Sequence, residues 1–221
     1  MYSKLKRKLK LVYKNHFSQE ARLVKKYTKE KQSVLICGPR KSGNTWTRFV
    51  LFNYYNVLHN EASKTLTYDD LNSIQKNVLG KVIKNESKWG GHIPFVVRTH
   101  DPYDKIFNHF DLIVYVYRNP LDTLISEYYW KSNRVDLDLS EVSVDQYVSK
   151  NLKSWIGHYK KTFDKADLRL SYEKRKEDPH FEYARMIEAI EGNVDDSALE
   201  KAVRMSSLDS VREMGKSSEQ K

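Results

Sequence analysis

The sequence predicts an α/β fold, a single domain in which helices flank a central parallel β-sheet that carries a P-loop-like turn. Three observations carry that expectation. β-Prone runs near residues 33–37, 95–99, 112–117 and 168–172 alternate with helical stretches near 45–58, 69–79, 121–130, 143–163 and 179–191, the order that brings parallel strands together through helical crossovers. A length of 221 residues, with 39% hydrophobic and 31% charged, suits one buried core. Finally, residues 33–55 read as a strand, a glycine-containing turn and a helix in direct succession.

The composition excludes several classes. Eight Gly and five Pro argue against a collagen-like or low-complexity chain, and no apolar run approaches the roughly 20 residues that span a bilayer. A soluble protein of the cytoplasm is the expectation. The single Cys37 can form neither an internal disulfide nor a thiolate metal site; within its strand it reads as a small buried apolar residue.

Taken in order, the chain opens on a basic segment. Residues 1–31 hold eleven Lys/Arg against Glu20 and Glu30, so they carry +9 of the formal +10, and residues 32–221 are nearly neutral. Leu5, Leu9, Val12 and His16, then Leu23 and Tyr27, recur at helical spacing and form a narrow apolar stripe on a basic helix. Two readings stand: a solvated helix that packs its stripe on the body, or a helix that docks on an anionic surface at the periphery of a membrane. Nucleic acid is not expected as a partner, since no zinc-finger or RRM signature accompanies the charge.

The body starts with Ser33-Val-Leu-Ile-Cys37, followed by Gly38-Pro-Arg-Lys-Ser-Gly-Asn-Thr45 and the helical run from Trp46 to Tyr55. Backbone N–H groups in such a turn, with the unsatisfied start of the helix, make a cradle for phosphate-like anions. Gly38 and Gly43 have the separation of a Walker A loop. Asn44, however, stands where a nucleotide triphosphatase has its lysine, and Lys41 precedes the second glycine instead. The later strand Leu112-Ile-Val-Tyr-Val-Tyr117 ends in Arg118-Asn-Pro rather than in a carboxylate for magnesium.

These departures fit another family. Pro39-Arg-Lys-Ser-Gly-Asn-Thr-Trp46 resembles the phosphosulfate loop of sulfotransferases that use 3′-phosphoadenosine 5′-phosphosulfate (PAPS), with Arg40 before the lysine and Asn44 for the usual threonine. Three further blocks follow in the family's order. Phe95-Val-Val-Arg-Thr-His100-Asp-Pro102 resembles the Lys-Thr-His-x-Pro segment, and Arg118 with Ser126 eight residues on resembles the 3′-phosphate block. Ser154-Trp155-Ile-Gly-His158 and the segment Leu168 to Pro179 resemble the Ser-Trp-x-x-His helix and the strand-Tyr-Glu unit. Arg118 also makes sense by itself: a guanidinium fork at a strand end, ahead of a helix opened by Pro120 and Asp122, stands where open α/β sheets bind ligands.

The resemblance implies in-line transfer of a sulfuryl group from PAPS to a hydroxyl or amine, leaving 3′-phosphoadenosine 5′-phosphate (PAP), with no metal. It casts His100 as general base and Lys41 as the group that stabilises charge on the bridging oxygen. Arg40, Lys41, Ser42, Gly43, Asn44 and Thr45 would form the loop around the 5′-phosphate, Arg118 and Ser126 would hold the 3′-phosphate, and Trp46, Tyr172 and, in Ser206-Ser-Leu208, Ser206 would lie against adenine. Beside these roles stand blander ones: Trp46 as core, Ser126 as a solvent-facing helix serine, Trp155 and His158 as core residues.

Family members carry an Arg-Lys-Gly-x-x-Gly segment near the C-terminus, and Met214-Gly-Lys-Ser-Ser-Glu-Gln-Lys221 does not match it. The expectation is a sulfotransferase domain over 32–221 that is shortened at its C-terminal side. Two other functions remain open, a P-loop kinase or NTPase and a non-catalytic anion-binding module. The acceptor, a small molecule or a glycan, and the oligomeric state are not legible.

Overall fold

A computed structural model describes residues 19–30, 32–60, 64–75, 78–79, 93–133, 139 and 141–219. In chain order the elements are α1 (Gln19–Glu30), β1 (Ser33–Cys37), α2 (Asn44–Asn60), α3 (Tyr68–Ile74), β2 (Phe95–Thr99), a 3-10 turn (Lys105–His109), β3 (Leu112–Tyr117), α4 (Pro120–Ser132), α5 (Val144–Thr162), a second 3-10 turn (Phe163–Lys165), β4 (Leu168–Ser171), α6 (Tyr172–Glu177), α7 (Pro179–Glu191), α8 (Asp196–Met205) and α9 (Leu208–Glu219). The strands form one sheet in the order β2-β1-β3-β4, every pairing parallel.

All five residues of β1 are buried, as expected of a strand covered on both faces. Alternation divides them: Val34 and Ile36 join the core beneath α2, α7 and α8, whereas Leu35 and Cys37 face the opposite cluster with Phe107 and Tyr115. Burial pushes the Cys37 thiol up, so it stays protonated and apolar in character.

Three boundaries differ from the sequence expectation. The helix near 69–79 ends at Ile74, because Leu79 donates its N–H to the Arg98 carbonyl at 2.9 Å and Val78 bridges to the edge of β2. The strand near 168–172 ends at Ser171, whose hydroxyl accepts from Lys174 N–H and caps α6, so Tyr172 opens a helix. Helices α8 and α9 were not read from sequence; Asp195 caps the first by accepting from Ala198 N–H at 2.8 Å.

In α1, Val24 is fully buried, Leu23 and Tyr27 pack on the second core cluster, and the Tyr27 and Phe95 rings lie 5.4 Å apart. Arg22, Lys25, Lys26 and Lys29 stay exposed on its outer side. The stripe at Leu5, Leu9, Val12 and His16 lies outside the described residues. No helix among the described residues is long and apolar enough to cross a membrane.

Candidate active site

The loop after β1 exists because two glycines let backbone approach backbone. A Cβ on Gly38 would lie 2.0 Å from the Val116 carbonyl oxygen. Gly38→Ala is therefore expected to destabilise the fold by about 1–3 kcal/mol or more through overpacking at the β1–β3 seam, read as a lower midpoint in thermal unfolding; an unchanged midpoint would contradict the contact. Gly43 has φ +92°, a left-handed conformation natural to glycine. Lys41 has φ +64° without being glycine, a local backbone cost of about 1–2 kcal/mol.

Helix α2 starts at Asn44, so the loop feeds directly into the unsatisfied N–H groups of its first turn. Along the ends of β1, β2 and β3 a cavity of about 580 Å³ opens, lined by Arg40, Lys41, Gly43, Asn44, Thr45 and Trp46 from the loop and α2, by His100, by Arg118 and Ser126, and by Tyr172. Parallel strands bring these distant segments together at one edge.

His100 lies just past β2. Its Nδ1 is 3.0 Å from the Gly38 carbonyl oxygen and 3.2 Å from Asn44 Nδ2. The carbonyl can only accept, so the bond to it assigns the proton to Nδ1, with Asn44 Nδ2 donating to the same carbonyl at 3.3 Å, and in that tautomer Nε2 keeps its lone pair. Burial, then the positive charges of Arg40 and Arg98, hold this imidazole below its ordinary pKa against the opposing pull of the Gly38 bond. It is a neutral base at neutral pH.

Arg118 lies with its guanidinium carbon 4.5 Å from the centre of the Tyr172 ring and 3.7 Å, through Nη2, from an Asp122 carboxylate oxygen. Its Nε is buried with no partner among the described residues, an arginine held in place with donor capacity to spare. Asn119 caps α4 by accepting from Leu121 N–H at 2.9 Å, while its own N–H donates to Glu173 at 2.8 Å; that ties the Arg118 turn to the start of α6. Trp46 donates from Nε1 to the Ser206 carbonyl at 2.8 Å and meets Tyr172 edge to face at 5.8 Å.

Two site expectations change with this placement. Ser206 is fully buried, and its hydroxyl accepts from Asn53 Nδ2 at 2.8 Å; it supports Trp46 from behind and does not line the cavity, because the tight α2–α8 packing consumes its polar groups. Ser42 is likewise buried and does not line the cavity; its carbonyl accepts from Arg175 Nη2 at 3.0 Å behind the loop. The reading of Trp155 and His158 as plain core residues also changes. Both line a second cavity of about 270 Å³ that shares Arg40 and His100 with the first and includes Asp101, Glu127, Asn151 and Ser154. Trp155 Nε1 and His158 Nε2 are buried with no hydrogen-bond partner among the described residues, and the Tyr115 hydroxyl lies 3.2 Å from His158 Nδ1.

Sequence reasoning missed Tyr68, Trp130 and Arg212 in the first cavity wall, and it missed Arg175, fully buried beneath the loop. The cavity-wall residues come from segments without motifs. Arg175 sits in the run Lys174-Arg-Lys176, which reads as a solvated charged face; only its spacing, four residues after Ser171 and eight before Tyr183, hinted at an inward position. Among the described residues no group of three or more His, Cys, Asp or Glu side chains is placed to hold a metal.

Residues 31–221 match the family model described as the sulfotransferase domain. The chain is 24% identical to the amine sulfotransferase of Oryctolagus cuniculus over 187 residues, 78% of this chain and 60% of that protein. It is 25% identical to sulfotransferase 1 family member D1 of Mus musculus over 213 residues, 90% of this chain and 70% of that protein. Among solved structures it resembles retinol dehydratase, in complexes with androsterone and inactive cofactor PAP (TM-score 0.64, 16% identity, 83% of this chain and 66% of that one) and with retinol and PAP (TM-score 0.64, 17% identity, 83% and 67%). The chain thus spans 60% of the length of the rabbit relative.

Proposed function

We propose, because this chain belongs to the sulfotransferase domain family, that it transfers the sulfuryl group of PAPS to a hydroxyl or amine of a small-molecule or glycan acceptor. The observation that carries the reading is the position of His100, held through Nδ1 on the Gly38 carbonyl, in the wall shared by two cavities. One cavity has the donors for a nucleotide carrying two phosphates, and the other has polar groups for the acceptor. The spare Nε of Arg118 and the loop donors fit such a group.

PAPS supplies the activated sulfuryl group, bonded through the bridging oxygen of its 5′-phosphosulfate. The backbone at Gly43, Asn44 and Thr45 holds the 5′-phosphate, and Lys41 balances the charge that grows on the bridging oxygen. Arg118 and Ser126 hold the 3′-phosphate, with Trp46 and Tyr172 against adenine. In the second cavity His100 Nε2 takes the acceptor proton as the acceptor atom bonds to sulfur and the sulfur–oxygen bond to the 5′-phosphate breaks, leaving PAP. Asp101, Glu127, Asn151 and Ser154 make that cavity wall polar, and the free nitrogens of Trp155 and His158 suit an acceptor with oxygen or nitrogen beyond the reacting atom. The exposed basic face of α1, continuing the charge of residues 1–31, suits an acceptor or surface that is anionic.

Calorimetric titration with PAP, against ATP and magnesium, tests the reading. Selective binding of PAP is expected. Arg118→Ala should weaken it about 10- to 100-fold, the loss of charge-assisted hydrogen bonds to a phosphate. Magnesium-dependent binding of ATP in preference to PAP would return the loop to the P-loop kinase or NTPase class. PAP binding without transfer to any acceptor would leave an anion-binding module.

A further inference from the structure

Arg175 heads the largest fully buried side chains of the described structure. An arginine side chain stays charged in proteins, and a buried charge ordinarily needs a partner of opposite sign. Among the described residues no carboxylate pairs with it. All of its acceptors are neutral. Nε donates to the Ser171 carbonyl at 3.1 Å, and Nη1 to Thr47 Oγ1 at 2.6 Å, the Tyr183 hydroxyl at 3.3 Å and the Gly43 carbonyl at 3.3 Å. Nη2 donates to the Ser42 carbonyl at 3.0 Å. The rings of Trp46, Tyr172 and Tyr183 surround the guanidinium at 5.5, 5.8 and 6.0 Å.

Two of those acceptors belong to successive peptide units of the anion loop. In a trans peptide the C=O and the next N–H point in opposite directions. The Ser42 and Gly43 carbonyls both accept from Arg175, the second of them shared with Thr47 N–H at 3.0 Å, the first bond of α2; the N–H groups of Gly43 and Asn44 therefore point away from Arg175, and Gly43, Asn44 and Thr45 line the cavity. The approach is close: a Cβ on Gly43 would lie 3.0 Å from Arg175 Nη2. A peptide unit whose carbonyl accepts from a cation also donates more strongly from its N–H.

We propose that Arg175 is the positioning residue of the anion loop: it holds two successive peptide planes so that Gly43 and Asn44 present their N–H groups to the 5′-phosphate, and its charge, unpaired behind the loop, favours an anion in front. The identity of that anion rests on the sulfotransferase reading; the direction of the two amides does not.

Titration of the full chain with PAP and, separately, with adenosine 3′-phosphate, which lacks the 5′-phosphate, tests this. Arg175→Met is expected to raise the Kd for PAP by about tenfold or more and to weaken adenosine 3′-phosphate by clearly less, roughly threefold at most, through the Trp46 and Tyr172 rings that Arg175 also touches. Arg175→Lys, which keeps the charge but reaches fewer carbonyls, should fall between. Equal weakening of both ligands would mean general loosening of the fold and would overturn the proposal, as would unchanged affinity for PAP. Should Arg175→Met fail to fold, the same contrast in Arg175→Lys decides the matter. A parent chain that binds neither nucleotide overturns the sulfotransferase reading and the proposal together, whereas PAP binding that ignores Arg175 overturns the proposal alone.

Discussion

His100→Ala is expected to lower turnover by about 10²–10⁴-fold, the range of a lost general base, while PAP affinity changes little. The separation follows from the geometry. His100 contributes one hydrogen bond to the Gly38 carbonyl, which Asn44 Nδ2 also reaches at 3.3 Å, so the loop keeps a donor on that carbonyl when the imidazole is gone. The pH profile carries the sharper signature. Because burial and the neighbouring arginines lower the His100 pKa from 6.5, the ring is protonated and inactive only on the acid side of that value. For the parent chain kcat/KM should rise with pH along an acidic limb whose midpoint lies below 6.5, and the residual activity of the variant should lack that limb. Unchanged turnover, or an acidic limb that survives the substitution, would remove His100 from the proton transfer.

The parts of this site legible in the sequence are those in which function is written locally. Ser33 to Asn60 form a strand-turn-helix unit, so spacing alone located the turn between β1 and α2, and the apolar runs of β1 and β3 declared themselves because both faces of a parallel sheet are covered. The burial of Ser206 has a tertiary cause: nothing near it in sequence reveals that its hydroxyl accepts from Asn53. Trp155 and His158 differ in the opposite sense. Both sit on α5 in an aromatic neighbourhood, with Tyr159 stacked on Trp155 at 5.6 Å, so an apolar reading was natural; the nitrogen on each ring that lacks a partner is visible only once the cavity is. Arg175 was hidden by composition. Flanking lysines make a charge run, and only the fold shows that α6 turns one member of that run inward beneath the loop while Lys174 and Lys176 stay exposed.

Lys41→Met is expected to cut kcat by about 10²–10³-fold, the scale seen when a donor to developing charge is removed. Its ammonium lies 5.7 Å from the Trp130 ring centre, and Lys41 stands in the wall of the first cavity, on the loop between β1 and α2. Under the proposed transfer, the charge Lys41 would balance is partial in the transition state and complete on the departed PAP, so PAP affinity should fall more than PAPS affinity does. Uniform loss of both would assign Lys41 to ground-state binding instead. Backbone geometry adds an independent check. At φ +64° any side chain carries a cost that glycine does not, so Lys41→Gly should unfold at a higher temperature than Lys41→Met, by about 1 kcal/mol of stability, while being no more active. A lysine retained at a position where glycine would be more stable is what a site that trades backbone strain for a placed charge requires. Equal stability of the two variants would show that the left-handed turn relaxes without cost, and the charge alone would then account for the residue.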